Sequence, residues 1–251
     1  MKQQPQPPMF VPPDSEDTVL WRFLDFTKLA SLLHRKALYF VRSDRLADPF
    51  EGSYPRGNTL LKEAMLRELK LNIGEKADTA LRSIENMRRI VRLWTYLSSW
   101  HMNEHESAAM WKVYTTTPEA VAIRSTYKSL REVLPAGTHI GKVSYIDFEK
   151  QVIPEANVLY PFMYKRMSYS YERELRALEF DATDENGNPQ TDASRLPTGK
   201  YIPVDVNTLV QSIYVAPGAP TWFREVVADL CSKYGLQRGV VQSSIDGEPF
   251  Y

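Results

Sequence analysis

Short apolar runs typical of β-strands are spaced irregularly along this chain, and helical patterns separate only some of them. Val19 to Phe23, Ala37 to Val41 and Ala120 to Arg124 are three such runs, since β-branched and aromatic residues favour strands. A regular alternation of strands and helices would indicate a parallel sheet with crossover helices. The irregular order instead predicts an α+β fold with a mixed or mostly antiparallel sheet.

The distribution of apolar residues predicts one domain behind a short tail. The chain has 251 residues, 43% of them hydrophobic, which is typical of a globular protein. Residues 1–17 contain five prolines and few apolar groups, so we expect a disordered tail there. Residues 18–251 are predicted to form the single domain. A helical insertion at about 59–114 follows the second strand and contains predicted helices at 59–72, 75–97 and 103–114.

The charges of the chain balance. Lysine and arginine number 31, as do aspartate and glutamate, whereas a dedicated nucleic-acid-binding protein carries surplus basic residues. Nucleic acid is therefore not an expected partner. The helix at 75–97 carries arginines at 82, 88, 89 and 92, and we interpret it as a solvated face on which Glu85 pairs with Arg89.

Nothing in the sequence predicts secretion or membrane binding. The single cysteine, Cys231, cannot form an internal disulfide and is expected to be a core residue. The N-terminus lacks the apolar region of a signal peptide, and no apolar run approaches the ~18 residues of a membrane span. We therefore expect a cytoplasmic protein without membrane contact.

The segment around residue 172 is the best candidate for a site. In Ser168 to Arg176 (Ser-Tyr-Ser-Tyr-Glu-Arg-Glu-Leu-Arg), a continuous strand would place Glu172, Glu174 and Arg176 on one face. An edge strand with exposed ion pairs would account for these charges, as would a cleft in which a carboxylate works. We favour the cleft.

Two further segments combine groups that can bind anions. Arg22, in the first strand, can hold a phosphate or carboxylate through two parallel hydrogen bonds, or it can form a surface ion pair. Arg124, Ser125 and Thr126 follow an apolar strand and can position a ribose or phosphate. Serine and threonine are also good helix N-caps, and we favour a cap at this junction.

Two polar turns and loops receive simpler interpretations. Asp48-Pro49-Phe50-Glu51 predicts a turn that places Phe50 inward and Glu51 outward. Lys165-Arg166 precedes the predicted strand, and we interpret it as a charged loop.

Seven segments, taken in order and spacing, resemble a known family. They are Leu20–Phe23, Ala37–Phe40, Ala47–Gly52, Trp100–Glu104, Glu106–Trp111, Val121–Thr126 and Tyr171–Arg176. The set resembles the bacterial family named domain of unknown function 2971. This resemblance implies an intracellular bacterial or phage-related protein with a polar, aromatic-rich site, and a link of some relatives to phage defence. It implies no reaction.

The order of the candidate site residues is similar to the arginine, serine-threonine-serine, glutamate pattern of ADP-ribosyltransferases. The similarity implies NAD as the substrate. Arg22 would hold its phosphates, Ser125 would shape the nicotinamide pocket, Glu174 would stabilise the cationic ribose, and Glu172 would orient the acceptor. The chain lacks the full Ser-Thr-Ser sequence, and a long insertion separates Arg22 from Ser125.

Two other functions remain open from the sequence. His101-Met102-Asn103-Glu104-His105 matches the His-x-x-Glu-His pattern of zinc peptidases, which predicts zinc ligands at His101 and His105. Hydrogen bonding at a helix start is the more usual role of such residues. The other function is a non-enzymatic module that binds a small anionic ligand or a protein partner. We expect, ahead of both, an enzyme acting on a nucleotide.

Overall fold

The computed structural model describes residues 6–249, apart from residues 75, 116, 118, 185, 246 and 248. The strands are β1 (Val19–Asp25), β2 (Ala37–Arg42), β3 (Thr95–Met102), β4 (Ala120–Thr126), β5 (His139–Lys142), β6 (Ser144–Ile146), β7 (Tyr164–Arg166), β8 (Glu174–Phe180), β9 (Gly199–Pro203), β10 (Ser212–Val215) and β11 (Val240–Gln242). The helices are α1 (Phe26–Arg35), α2 (Arg56–Ile73), α3 (Lys76–Trp94), α4 (Ala108–Tyr114), α5 (Tyr127–Val133), α6 (Val206–Leu209) and α7 (Thr221–Lys233).

Nine of these strands form one mixed, mostly antiparallel sheet. Its order is β11-β10-β4-β1-β3-β2-β9, with β8 paired to β3 and β5 paired to β8. Only the β10–β11 pair within this sheet is parallel among the described pairs. β6 and β7 form a separate parallel pair. The α+β fold with a mostly antiparallel sheet, predicted from the sequence, is confirmed.

The sheet forks at β3. One edge of β3 pairs with β8 from Thr95 to His101. On the opposite edge β1 pairs with His101 and Met102, while β2 pairs with Tyr96 and Leu97. Residues 98–100 therefore have no strand beside this edge within the described part of the chain. The result is an opening through the sheet between β1 and β2.

Both faces of the sheet are covered, and the two faces carry different layers. Leu20, Leu24 and Trp100 project to one face and pack against α1, α5 and α7 in the largest apolar cluster. Trp21 and Phe23 project to the other face and pack against α4. Because the opening between β1 and β2 connects the two faces, it reaches side chains from both layers.

Residues 6–17 pack on the sheet instead of forming the predicted disordered tail, and the remainder of that predicted tail, residues 1–5, lies outside the described residues. Met9 and Phe10 are buried and pack in the apolar cluster that contains Leu178 of β8. Lys142 of β5 donates its backbone N–H to the carbonyl of Val11 at 2.8 Å. Two apolar side chains among the prolines are enough to fix the segment on the sheet, because burial offsets the entropy of ordering it.

The insertion after β2 is helical only in part. α2 and α3 lie close to their predicted bounds, but a central strand, β3, follows them inside the predicted helical region. The predicted helix at 103–114 begins only at Ala108. Glu85 forms its ion pair with Lys62 of α2 rather than with Arg89, so the predicted i,i+4 pair is replaced by a contact between helices. No described helix is long and apolar enough to cross a membrane.

Candidate functional site

A cavity of about 680 Å³ lies at the fork of the sheet. β1, β2, β3 and α1 contribute to its wall, together with residues 46–51, Tyr114 of α4 and the segment that leads into β8. Aromatic rings form much of the lining, namely Trp21, Phe23, Tyr39, Trp100, Tyr169 and Tyr201. A volume of this size is typical of small-molecule sites.

Five charged side chains meet in and beneath one wall of the cavity. They are Glu51, Lys165, Glu172, Glu174 and Arg176, and none of these residues exposes more than 7% of its whole surface. Arg176 lies beneath the wall, and the other four line the cavity. Three carboxylates against two cations leave this cluster one negative charge in excess when all five groups are ionised.

Arg176 connects two of the carboxylates. Its Nε and Nη2 donate to the two oxygens of Glu174 at 2.7 and 2.8 Å, and its Nη1 and Nη2 donate to the oxygens of Glu51 at 2.9 and 3.1 Å. Nη1 also donates to the carbonyl of Phe162 at 2.5 Å. Two carboxylates each bound through both oxygens fix the guanidinium and hold Glu174 at the cavity wall.

Lys165 connects all three carboxylates. Its Nζ lies 2.5 Å from Glu172, 3.2 Å from Glu51 and 3.4 Å from Glu174. Tyr114 of α4 donates its hydroxyl to the second oxygen of Glu172 at 3.1 Å. Glu172 therefore has one strong cationic partner, whereas Glu174 has two.

This difference separates the pKa values of the two glutamates. Burial raises the pKa of Glu172, and the charge of Lys165 only partly offsets this effect. Burial acts on Glu174 in the same direction, but the charges of Arg176 and Lys165 outweigh it and lower the pKa to about 2. Glu174 therefore stays ionised at neutral pH, and Glu172 is the carboxylate that more readily takes up a proton.

The segment before Glu174 is not the continuous strand predicted from the sequence. Residues Met167–Glu172 form a 3₁₀ turn, and Arg173 has a left-handed backbone with φ of 41°. Glu174 and Arg176 share a face of β8, as expected from alternation. Glu172 reaches the same cluster by another path, because the turn directs it toward Lys165.

Arg22 lies in the fork. Its Nη1 donates to the hydroxyl of Ser98 on β3 at 2.6 Å, and its Nη2 donates to the carbonyl of Tyr39 on β2 at 2.9 Å. The guanidinium therefore links β1 to β2 and β3 at a point where β1 has no backbone pairing with either of these strands. Desolvation lowers the pKa of Arg22 to about 10, and the side chain remains a cation at neutral pH.

Arg22 and Glu174 project from opposite faces of the sheet. Trp21 pairs with His101, and His101 pairs with Glu174, so these three side chains lie on one face of the sheet. Arg22, the next residue after Trp21, projects from the opposite face. Both Arg22 and Glu174 nevertheless line the same cavity, because the sheet is open between β1 and β2. The two predicted site residues are brought to one space through the fork.

The predicted residues of β4 lie elsewhere. Ser125 is fully buried and donates its hydroxyl to the carbonyl of Leu209 at 2.5 Å. Thr126 accepts from the backbone N–H of Ser129 and caps α5, as favoured from the sequence. Arg124 donates to the side chain of Gln211 at 2.8 Å. None of the three lines the cavity, so the role of Ser125 in a nicotinamide pocket finds no place in this site.

The two histidines of the predicted zinc motif do not share a helix. His101 is the penultimate residue of β3 and lines the cavity, while His105 is exposed in the loop that follows. Nδ1 of His101 lies 2.6 Å from the carbonyl of Glu172, and Nε2 is buried and has no hydrogen-bond partner among the described residues. Burial lowers the pKa of His101. Among the described residues no group of three His, Cys, Asp or Glu side chains is placed to hold a metal ion.

Glu51 and Lys165 are site residues that the sequence interpretation misplaced. Glu51 is buried and Phe50 is 45% exposed, the reverse of the predicted turn. The ring of Phe50 instead stacks on the guanidinium of Arg166, whose Cζ lies 4.3 Å from the ring centre. Lys165 belongs to β7, not to a loop. The apolar residues on both sides of Lys165-Arg166, Phe162 and Met163 before it and Met167 after it, were the available sign of a packed segment.

No family model, curated protein or solved structure matches the chain. The resemblances to the domain of unknown function 2971 and to ADP-ribosyltransferases therefore stay predictions.

Proposed function

We propose that the cavity is the active site of an enzyme that transfers or hydrolyses the ADP-ribose part of NAD or of a closely related nucleotide. One observation carries this proposal: Arg22 lines the same cavity of about 680 Å³ as Glu172 and Glu174, which lie far from it in the sequence. The space offers a cation on one side and carboxylates on another. A dinucleotide with anionic phosphates and a cationic nicotinamide ring needs both.

The charges suit the parts of such a substrate. Arg22 uses one N–H of each terminal nitrogen on Ser98 and Tyr39, which leaves further donors of the guanidinium for phosphate. The negative excess around Glu172 and Glu174 favours a cationic group. Aromatic side chains such as Trp21 and Tyr169 offer surfaces for flat rings.

The reaction would follow from the two carboxylates. The bond between nicotinamide and the ribose carbon breaks, and its electron pair leaves with the nicotinamide. The ribose then carries positive charge that the ionised Glu174 stabilises. Water or an acceptor hydroxyl adds to the ribose carbon, and its proton passes to Glu172, whose raised pKa suits proton uptake.

A non-enzymatic module for an anionic ligand is the second candidate. Both oxygens of Glu174 already accept hydrogen bonds from Arg176, as they would if its role were only to hold the fold together. Such a module would bind ligand through Arg22 and would need neither Glu172 nor Glu174 for turnover.

Two measurements test the proposal. NAD and ADP-ribose should each raise the melting temperature, since a ligand that binds the folded state stabilises it. NAD should also release nicotinamide, measured by chromatography. Glu172→Gln should lower that release by about 10²-fold or more and keep the melting shift. Glu179→Gln is the matched control, because Glu179 is a half-buried carboxyl of β8, the strand that follows the turn containing Glu172, and lies outside the cavity.

The binding half of the proposal has its own control. Arg22→Lys should weaken NAD binding, because lysine cannot replace a planar guanidinium that contacts two strands. Arg124→Lys on the neighbouring strand should not. A melting shift without nicotinamide release would favour the binding module. Absence of any shift with either nucleotide would refute both nucleotide binding and the enzyme.

A further inference from the structure

Lys165 joins three carboxylates at a single nitrogen in the wall of the cavity. Its Nζ lies 2.5 Å from Glu172, 3.2 Å from Glu51 and 3.4 Å from Glu174. Burial disfavours the charge of Lys165, but the charges of Glu174 and Glu51 outweigh burial and raise its pKa. Lys165 is therefore a cation at neutral pH, and a protonated amine has no electron pair with which to attack a substrate.

Glu172 depends on Lys165 more than the other two carboxylates do. Glu51 and Glu174 each accept two hydrogen bonds from the guanidinium of Arg176, so both keep a cationic partner if Lys165 is removed. The remaining described contact of the Glu172 carboxylate is the neutral hydroxyl of a tyrosine in α4. A buried carboxylate that lies near a second carboxylate and has no cation beside it tends to bind a proton.

We infer that Lys165 is a positioning residue that keeps Glu172 ionised and oriented, so that Glu172 can take up the proton of the incoming water or acceptor hydroxyl. The inference rests on the proposed function and deepens it, because it explains how a buried glutamate is held ready as a base. Without Lys165, Glu172 would already carry a proton at neutral pH and could not accept another. Lys165 itself transfers no proton and stays charged throughout the reaction.

The pH dependence of nicotinamide release separates this role from a purely structural one. In Lys165→Met, the acid limb of the profile should move to higher pH by about one to three units, the usual effect of a neighbouring opposite charge on a carboxyl. Release by this variant should recover above that limb. Lys165→Arg keeps a cation beside Glu172 and should keep the acid limb of the wild type. Release that falls by the same factor at every pH in Lys165→Met would overturn the inference.

Lys200→Met is the matched control. Lys200 is a partly buried lysine that pairs with one carboxylate, Asp181, outside the cavity. Its removal should leave the pH profile of nicotinamide release unchanged. The same displacement of the acid limb in Lys200→Met would mean that the loss of any partly buried lysine has this effect, and the specific role of Lys165 would be refuted. The circular dichroism spectrum of each variant checks its fold.

A titration without nucleotide tests the ionisation of Glu172 by itself. The side-chain carboxyls of the full chain are followed by ¹³C NMR, and Glu172→Gln identifies the resonance of Glu172. The pKa of Glu172 should be higher in Lys165→Met than in the wild type by about one to three units. In the wild type, the ¹⁵N resonance of Lys165 Nζ should shift at the pH at which Glu172 titrates, and this measurement stands if Lys165→Met does not fold. An Nζ resonance that does not respond to Glu172 would contradict the contact on which the inference depends.

The outcomes separate the inference from the proposed function. Nicotinamide release by the wild type, together with an unchanged titration of Glu172 in Lys165→Met, would overturn the role of Lys165 and leave the proposed function standing. If the titration is displaced but the wild type releases no nicotinamide from NAD, the proposed function fails, and the role of Lys165 in the reaction fails with it.

Discussion

Glu172 and Glu174 have the same side chain and lie two residues apart, yet their surroundings give them different properties. Glu174 accepts from both Arg176 and Lys165, whereas Glu172 accepts from Lys165 and the neutral hydroxyl of Tyr114. The number of cationic partners decides which glutamate stays ionised. The number of cationic partners also decides how much each glutamate contributes to the stability of the fold.

Glu174→Gln should destabilise the protein by about 3–5 kcal/mol, because it leaves Arg176 with a weakened partner in a fully buried position. Glu172→Gln should cost clearly less, since burial already disfavours its charged form. Chemical denaturation of both variants, with Glu179→Gln alongside, measures the difference. Equal losses in the first two variants would contradict the assignment of partners.

The stability of the protein should depend on the ionisation of Glu174 at acid pH. The pKa of Glu174 in the fold is about 2, below its ordinary value of 4.5. Its contribution to stability is therefore complete above pH 4.5 and is lost as the pH falls from 4.5 toward 2. The difference in unfolding free energy between wild type and Glu174→Gln should shrink over this range. A difference that stays constant from pH 6 to pH 3 would argue against the lowered pKa.

At the scale of elements, the N-terminal segment acts as part of the sheet layer. Gly141 of β5 has no room for a side chain, since a Cβ there would lie 2.6 Å from the Cα of Phe10. This close approach lets Lys142 donate to Val11 and brings Phe10 over the ring of His139. A short apolar pair thus orders the segment that contains it.

Phe10→Ala should destabilise the protein by about 3–5 kcal/mol, the usual cost of removing a buried phenylalanine side chain. Val11→Ala is the control, because Val11 is 48% exposed, and its effect should stay within about 0.5 kcal/mol. Urea denaturation monitored by circular dichroism measures both. An unchanged free energy of unfolding in Phe10→Ala would mean that the segment does not pack stably on the sheet.

Element types could be predicted from the sequence wherever one local signal dominates. α2 and α3 lie close to their predicted bounds, and Thr126 caps α5 as expected. β3 was missed because it follows α3 directly, and tertiary pairing on both edges decides its state. In the site, Glu51 and Lys165 come from separate segments that contact each other and the β8 segment only in the folded chain. No local pattern encodes such a meeting.

At the scale of the whole molecule, the fork explains how one cavity joins two layers. β1 and β2 pair with opposite ends of β3, so the sheet is continuous around the opening but not across it. Arg22 reaches the opening from the layer of α1, and Glu174 and His101 reach it from the layer of α4. A ligand in this cavity would contact both layers and would stabilise the sheet as a unit.

Helix α2 stands apart from this unit, whereas α3 packs on the sheet through Val91. Among the described side chains of α2 only Asn58 is buried, and it exchanges hydrogen bonds with the backbone of Ile153 at 2.8 and 2.9 Å. Beyond this first turn, α2 is held by ion pairs to α3 such as Lys62–Glu85 and Lys70–Asp78. Exposed ion pairs contribute little to stability.

Hydrogen exchange should therefore distinguish α2 from the helices that pack on the sheet. Backbone amides of α2 at 62–73 should exchange about 10²-fold faster than those of α7, because few buried contacts oppose local opening of α2. α7 is the matched helix, with Phe223, Val227 and Cys231 buried against the sheet. Mass spectrometry of both helices in one sample removes differences in conditions. Equal protection would mean that something covers the exposed Leu60, Leu61 and Met65 in solution, and the molecular mass measured by light scattering would then show whether a second copy does so.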